Sequence, residues 1–136
     1  MIIGIGTDLV DIRRIERSLK RFEKAFCNRI FTEAEQAFCD ARSERKRISA
    51  YAMRFAAKES CAKALGTGLQ QGVFWRDMEN DHLSGGKPIM TLTGGALKRL
   101  NDLTPEGLTP QIDVSLTDEY PYAMAVVIIS AEKNKE

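Results

Sequence analysis

Apolar positions recur along this chain with two different periods, and the periods sort it into elements. Ile2–Thr7 is a short run rich in Ile and Gly that reads as a strand. From Asp11 to about Lys24, the residues Ile12, Ile15, Leu19 and Phe22 recur three or four apart among basic residues, which predicts an amphipathic helix. Thr32, followed three residues later by Glu35, has the form of a capping box and starts a second helix. The long periodic stretch from about Ser43 to Leu65 predicts the main helix, closed by Gly66-Thr67-Gly68. Val73–Met78 and Ile89–Leu92 read as strands joined by a Gly- and Pro-bearing loop, and Ala96–Leu103 as a short helix. Gln111–Leu116 alternates apolar with polar, as a half-buried strand does. Tyr122–Ile129 is almost continuously apolar, which predicts a strand covered on both faces. Strands and helices mix without strict alternation. The fold class is therefore α+β, a small mixed or antiparallel sheet packed on one long helix and shorter ones.

Composition narrows the class further. A chain of 136 residues predicts one domain, residues 1–131, followed by a frayed charged tail Glu132–Glu136. Charge is balanced at 20 basic against 19 acidic residues, which argues against a chain-wide nucleic-acid binder. No apolar run approaches the ~18–20 residues of a membrane span. The opening MIIGIGTD lacks the basic region of a signal peptide. Three cysteines, no CxxC and a single histidine exclude a disulfide framework and a zinc knuckle, so a reduced, cytoplasmic protein is expected.

Two carboxylates stand where packing alone would not put them. On a wheel of 100° per residue with Ile48 at zero, Tyr51, Ala52, Phe55, Ala62 and Gly66 lie within about 60° and form a core stripe. Glu59 falls about 20° from its centre, where a lone carboxylate costs several kcal/mol to desolvate. Lys63, one turn on, offers a structural ion pair; a functional carboxylate carries equal weight. In the first strand Ile2, Gly4, Gly6 and Asp8 share a face, the glycines permitting close approach of another element. Asp8 then stands at the strand's C-terminal end. It can cap the following helix, as can Asp11, or join Glu59 in a Mg²⁺ site, since that ion takes one or two carboxylates plus phosphate oxygens.

Basic residues cluster twice. Arg14, Arg17, Arg21 and Lys24 line one face of the first helix, where six cations meet only two acids, Glu16 and Glu23. That face is either a solvated surface or a dock for an acidic partner. Arg45-Lys46-Arg47 precedes the long helix and could meet phosphates.

Gly6-Thr7-Asp8-Leu9-Val10-Asp11-Ile12, followed by Arg54-Phe55-Ala56-Ala57-Lys58-Glu59-Ser60, resembles the paired signatures of the holo-[acyl-carrier-protein] synthases. These are the small, single-domain 4′-phosphopantetheinyl transferases. The separation of the motifs, Trp75 with Asp77 and Glu79, and Gly86-Lys87-Pro88 fit as well, so the resemblance covers nearly the whole chain. It implies transfer of 4′-phosphopantetheine from coenzyme A to a serine of apo acyl carrier protein, releasing adenosine 3′,5′-bisphosphate, in fatty acid biosynthesis. It further implies Mg²⁺ on Asp8 and Glu59, and Lys63 at the phosphates with Arg54 and Lys58 as helpers. Gly66, Gly86, Lys87 and Pro88 would border the coenzyme, in a homotrimer with active sites between subunits. Arg14, Arg17, Arg21 and Lys24 would dock the carrier.

One position departs from the family. Where it often carries Ser-x-Ser/Thr-His, this chain reads Ser115-Leu116-Thr117-Asp118-Glu119, so Asp118 replaces the histidine. The sole histidine, His82, reads as an ordinary loop residue. The general base is thus open between Asp118, a metal-bound water, and Glu59 acting through water. A non-catalytic module that binds an acidic protein or nucleic acid through the first helix, and a metal-dependent phosphohydrolase acting on nucleotides, are the alternatives from other classes.

Overall fold

A computed structural model of the chain describes residues 1–134. Its elements run β1 (Ile2–Asp11), α1 (Ile12–Ile30), α2 (Glu33–Asp40), α3 (Glu44–Leu65), β2 (Met78–His82), β3 (Pro88–Leu92), α4 (Gly94–Leu103), β4 (Leu108–Glu119) and β5 (Tyr122–Lys133). One antiparallel sheet has the order β1-β5-β4, and β2 with β3 forms a separate hairpin. The α+β expectation holds, with every pairing antiparallel.

The helix α3 is the axle of the molecule: β1, β5, β4, α1, α2, β2 and α4 all pack against it. Ile48, Tyr51, Ala52, Phe55 and Ala62 of its core stripe are buried as the periodicity requires, whereas Gly66 at its end is exposed; Arg54, Lys58, Cys61 and Leu65 on other sides are buried too. Periodicity reports one buried face, and here α2 and the hairpin cover another. Gly66 ends the helix at φ +80°, a left-handed conformation suited to glycine, and Gly68 N–H closes the turn on Ala62 O at 3.1 Å. Thr32 and Glu35 form the expected capping box.

Several boundaries differ from expectation. The strand β1 continues to Asp11 because its ladder with β5 runs on to the pair Asp11–Tyr122, which leaves Asp8 in mid-strand. Residues 75–77 form a tight 3-10 turn instead of a strand, with Asp77 N–H on Phe74 O at 3.1 Å. The true strand starts at Met78 and turns the polar Asn80 inward, which hid its alternation. The helix α1 extends past Lys24 to Ile30, burying Cys27 and Ile30. Glu132 and Lys133 pair with Thr109 and Leu108, so fraying does not begin at residue 132; Lys135 and Glu136 lie outside the described residues.

Within the chain β5 is covered on one face only. Ala123, Ala125, Val127 and Ile129 are buried toward α3, whereas Met124 on the other face is 38% exposed. Beside it on β1, Ile5 and Leu9 are 64% and 63% exposed. Among the described residues no helix is long and apolar enough to cross a membrane.

Candidate active site

Two glycines bring the carboxylates together. A Cβ on Gly4 would land on the carbonyl of Ala64, and one on Gly6 on the carbonyl of Ser60, so β1 lies directly on the α3 backbone. The next residue on that face is Asp8, which this approach sets beside the Glu59–Lys63 turn of α3. The cap role falls to Asp11, whose carboxylate accepts from Arg13 N–H at 2.9 Å, leaving Asp8 uncommitted to α1.

Lys63 Nζ reaches Asp8 Oδ1 at 3.2 Å and donates to the carbonyl of Thr7 at 2.9 Å. The alternative Glu59–Lys63 pair does not form among the described residues. Glu59 is half-buried, and burial first, then the Asp8 charge, raises its pKa above the ordinary range. Lys63 and Arg14 oppose that rise, which places Arg14 of α1 on the same site. Two mutually repelling carboxylates, held together by packing, are a donor set for a hard cation. No group of three or more His, Cys, Asp or Glu side chains adds a further ligand among the described residues. The remaining positions of an octahedral ion would go to water and substrate oxygens.

A second place is a cavity of about 680 Å³ between α1, the N-terminal half of α3, the β2–β3 hairpin and the end of β4. Arg54, Gly86, Pro88 and Asp118 line it, as do Arg45 and Lys46 of the second basic cluster. Arg47 turns away instead, to Asp40 at 2.8 Å. Arg54 is 2% exposed; it donates to Ala50 O at 3.3 Å and its Nε has no partner. A buried guanidinium with an unmet donor at a cavity wall is suited to an anionic ligand. The cavity and the carboxylates are distinct: Arg54 and Glu59 are about 7.5 Å apart along α3 and turned about 140° from one another.

The other expected residues are placed less favourably. Lys58 lies wholly inside, where its ammonium holds Glu35 at 2.8 Å and the carbonyls of Trp75 and Met78 at 3.0 and 2.5 Å. All three protons are committed, so it is a tie between α2, α3 and β2 and cannot reach a phosphate. Lys87 is exposed at the hairpin turn and outside the cavity lining. Gly66 serves the helix end, with Arg99 Nε donating to Leu65 O at 2.9 Å beside it. Asp118 shares a sheet face with Asp8 but stands across β5, two strand spacings aside and two residues along, roughly 12 Å away.

Among the cavity residues that sequence reasoning did not assign are Phe38, Arg42 and His82. His82 is no loop residue; it ends β2, its ring stacked on Phe38 at 4.7 Å. Their spacing along the chain carries no period that could have united them. On α1, Arg14, Arg17 and Arg21 line a shallow depression with Phe22, while Lys24 is exposed beyond it.

Comparison with known proteins identifies the family. The sequence model of the 4′-phosphopantetheinyl transferase superfamily matches residues 4–125. The holo-[acyl-carrier-protein] synthase of Nitrobacter winogradskyi is 60% identical over 133 residues, covering 96% of each chain. That of Chelativorans sp. is 59% identical, covering 96% of this chain and 97% of its own. Among solved structures, the synthase of Neisseria meningitidis superposes with a TM-score of 0.82 at 35% identity, over 96% of this chain and 99% of that one. The Helicobacter pylori synthase in complex with coenzyme A gives 0.78 at 28% identity, over 93% and 99%. The chain belongs to the holo-[acyl-carrier-protein] synthase family of the 4′-phosphopantetheinyl transferase superfamily.

Proposed function

We propose that this chain transfers the 4′-phosphopantetheine group of coenzyme A to a serine of apo acyl carrier protein. The serine oxygen bonds to the phosphorus nearer the pantetheine, the pyrophosphate P–O bond breaks, and adenosine 3′,5′-bisphosphate leaves. The nucleophile belongs to the partner, so the enzyme supplies position and charge neutralisation. The observation that carries this reading is the Asp8–Glu59–Lys63 cluster, held together where β1 rests on α3 through Gly4 and Gly6.

Asp8 and Glu59 would hold Mg²⁺, which when bound neutralises pyrophosphate charge. Lys63 orients Asp8 and presents its ammonium to the phosphates. The cavity takes the nucleotide end, with Arg54, Arg45 and Lys46 meeting phosphate and Gly86 and Pro88 bordering it. Of the two side-chain candidates for proton acceptor, Glu59 and not Asp118 lies beside Asp8 within one chain, where it or a metal-bound water would take the proton. Asp118 would serve only from a neighbouring copy. The exposed Ile5, Leu9 and Met124 on the outer sheet face support self-association, as the expected homotrimer requires. Cationic Arg17 and Arg21 on α1 dock the acidic carrier. Three buried, unpaired cysteines suit a reducing cytoplasm, and the family's activity gives the chain its place in fatty acid biosynthesis.

The test is direct. Protein, coenzyme A, Mg²⁺ and apo carrier are mixed and the carrier is weighed by mass spectrometry. A phosphopantetheine adduct on serine is the expected result. Coenzyme cleavage without an adduct would make the chain a phosphohydrolase, and no reaction at all would leave a binding module.

A further inference from the structure

The only histidine of the chain lies in the wall of the cavity assigned to the nucleotide, and nothing in the proposed chemistry uses it. His82 closes β2 opposite Pro88 and is half-buried, its ring stacked on Phe38 at 4.7 Å with 26° between planes. Two guanidinium groups lie against the same Phe38 ring, Arg42 at 3.3 Å and Arg54 at 4.1 Å from its centroid. This is a compact pile of two aromatic rings and two cations, drawn from α2, the turn that follows it, α3 and β2.

We propose that His82 is a coenzyme-binding residue whose imidazole takes up a proton from solvent as a phosphate group of coenzyme A enters the cavity. Binding therefore tightens as pH falls. The proposal rests on the reading that coenzyme A occupies this cavity.

Partial burial first, then the Arg54 charge, holds the His82 pKa below its ordinary value; Asp81 beside it opposes that shift and Arg42 adds to it. The charge part of this balance is the part a bound anion changes. Around the rest of the cavity Arg45 and Lys46 from α3 oppose Glu16 from α1 and Asp118 from β4. The cavity is thus cationic at its Arg54 end, which favours the neutral imidazole. A phosphate seated on Arg54, whose Nε has no partner, offsets the guanidinium charge and adds a negative one close to the ring. The histidine pKa rises in the complex. By linkage, affinity gains about tenfold for each unit of that rise, fully expressed below the free-state pKa and lost as pH climbs through the bound-state value.

A chain free of any histidine tag gives one imidazole Cε1–H resonance, so its titration is read by proton NMR without assignment. Saturation with coenzyme A should move the midpoint upward by a unit or more. Calorimetry near pH 6.5, in two buffers of different ionisation heat, should record proton uptake on binding. The 3′-phosphate of coenzyme A titrates in the same range, so wild type is compared with His82→Gln and His82→Phe, the latter keeping the ring stack. Both variants should lose the histidine part of the uptake and the matching gain in affinity at low pH. A midpoint unmoved or lowered by coenzyme, or uptake undiminished in both variants, overturns the proposal. Failure of coenzyme A to bind the wild type at any pH would overturn the assignment of the cavity as well.

Discussion

Lys63 bonds Asp8, on the facing strand, and not Glu59, its neighbour one turn back on the same helix. The consequence is that Glu59 stays half-buried with a carboxylate beside it and no cation bonded to it, while Asp8 has a fixed orientation. A structural i,i+4 pair would have spread the helix charge over solvent. This arrangement concentrates negative charge at one point between β1 and α3, as a cation site needs.

Glu59→Gln should therefore abolish turnover by orders of magnitude without harming the fold. Because folding raises the pKa of Glu59, its stabilising contribution is present in the protonated form, below its unfolded-state pKa, and is lost as pH rises through the folded-state pKa. The variant should melt at or above the wild-type temperature at neutral pH, the gap closing as acid protonates the wild-type residue. Calorimetric melts from pH 4 to 8, run beside turnover, check both. A destabilised variant with normal specific activity would remove Glu59 from the site.

Gly6→Ala is expected to damage stability and activity together. Its Cβ would strike the Ser60 carbonyl, a backbone atom that cannot rotate aside, so β1 must lift from α3. Overpacking of this kind costs about 1–3 kcal/mol. The same lift carries Asp8 away from Glu59, so specific activity per folded molecule should drop as well. Gly85→Ala, where a Cβ meets nothing within 4 Å, is the control and should be neutral in denaturant melts and turnover.

The parts of this site legible in the sequence are those governed by one element's own period. Gly4, Gly6 and Asp8 share a strand face, and Ile48, Phe55 and Glu59 a helix face, so two separate patterns pointed at one junction. The capping box at Thr32 and the left-handed Gly66 are local, and were equally legible. What escaped depends on elements meeting from afar. Phe38, Arg42 and His82 converge because α2 and the hairpin both pack on α3, and no spacing encodes that. Lys58 misled for the same reason: its partner Glu35 stands on another helix, so a lysine inside a motif looked free for phosphate when it was locked in the core.

Lys58→Met tests that correction. Both Lys58 and Glu35 are fully buried, and removing one partner of a buried pair costs about 3–5 kcal/mol because the other charge is left uncompensated. Glu35 also accepts from the backbone N–H groups of Thr32 and Asn80, at 2.9 and 2.8 Å, so its displacement would loosen α2 and β2. A large loss in urea melts is expected, with KM for coenzyme A unchanged in the fraction that stays folded. A stable variant with a raised coenzyme KM would put Lys58 back at the phosphates.

Carrier docking through α1 is best tested away from the carboxylates. Arg14 influences Glu59 and lies over the Phe55 ring at 5.6 Å, so reversing it would disturb the site as well as the surface. Arg17 and Arg21 are exposed and belong to the shallow depression that also presents Phe22, itself 53% exposed. Charges at the rim of an interface act mainly on encounter, and their effect is screened over about 8–10 Å at ordinary salt. Arg17→Glu with Arg21→Glu should thus raise KM for the carrier several-fold and leave KM for coenzyme A nearly unchanged. The wild-type carrier KM should rise with salt, and the double variant should lose most of that dependence. The pair of titrations, carrier and coenzyme varied in turn at two salt concentrations, separates a docking face from a merely solvated one. If the carrier KM ignores both the reversal and the salt, α1 is a solvated face and the carrier docks elsewhere.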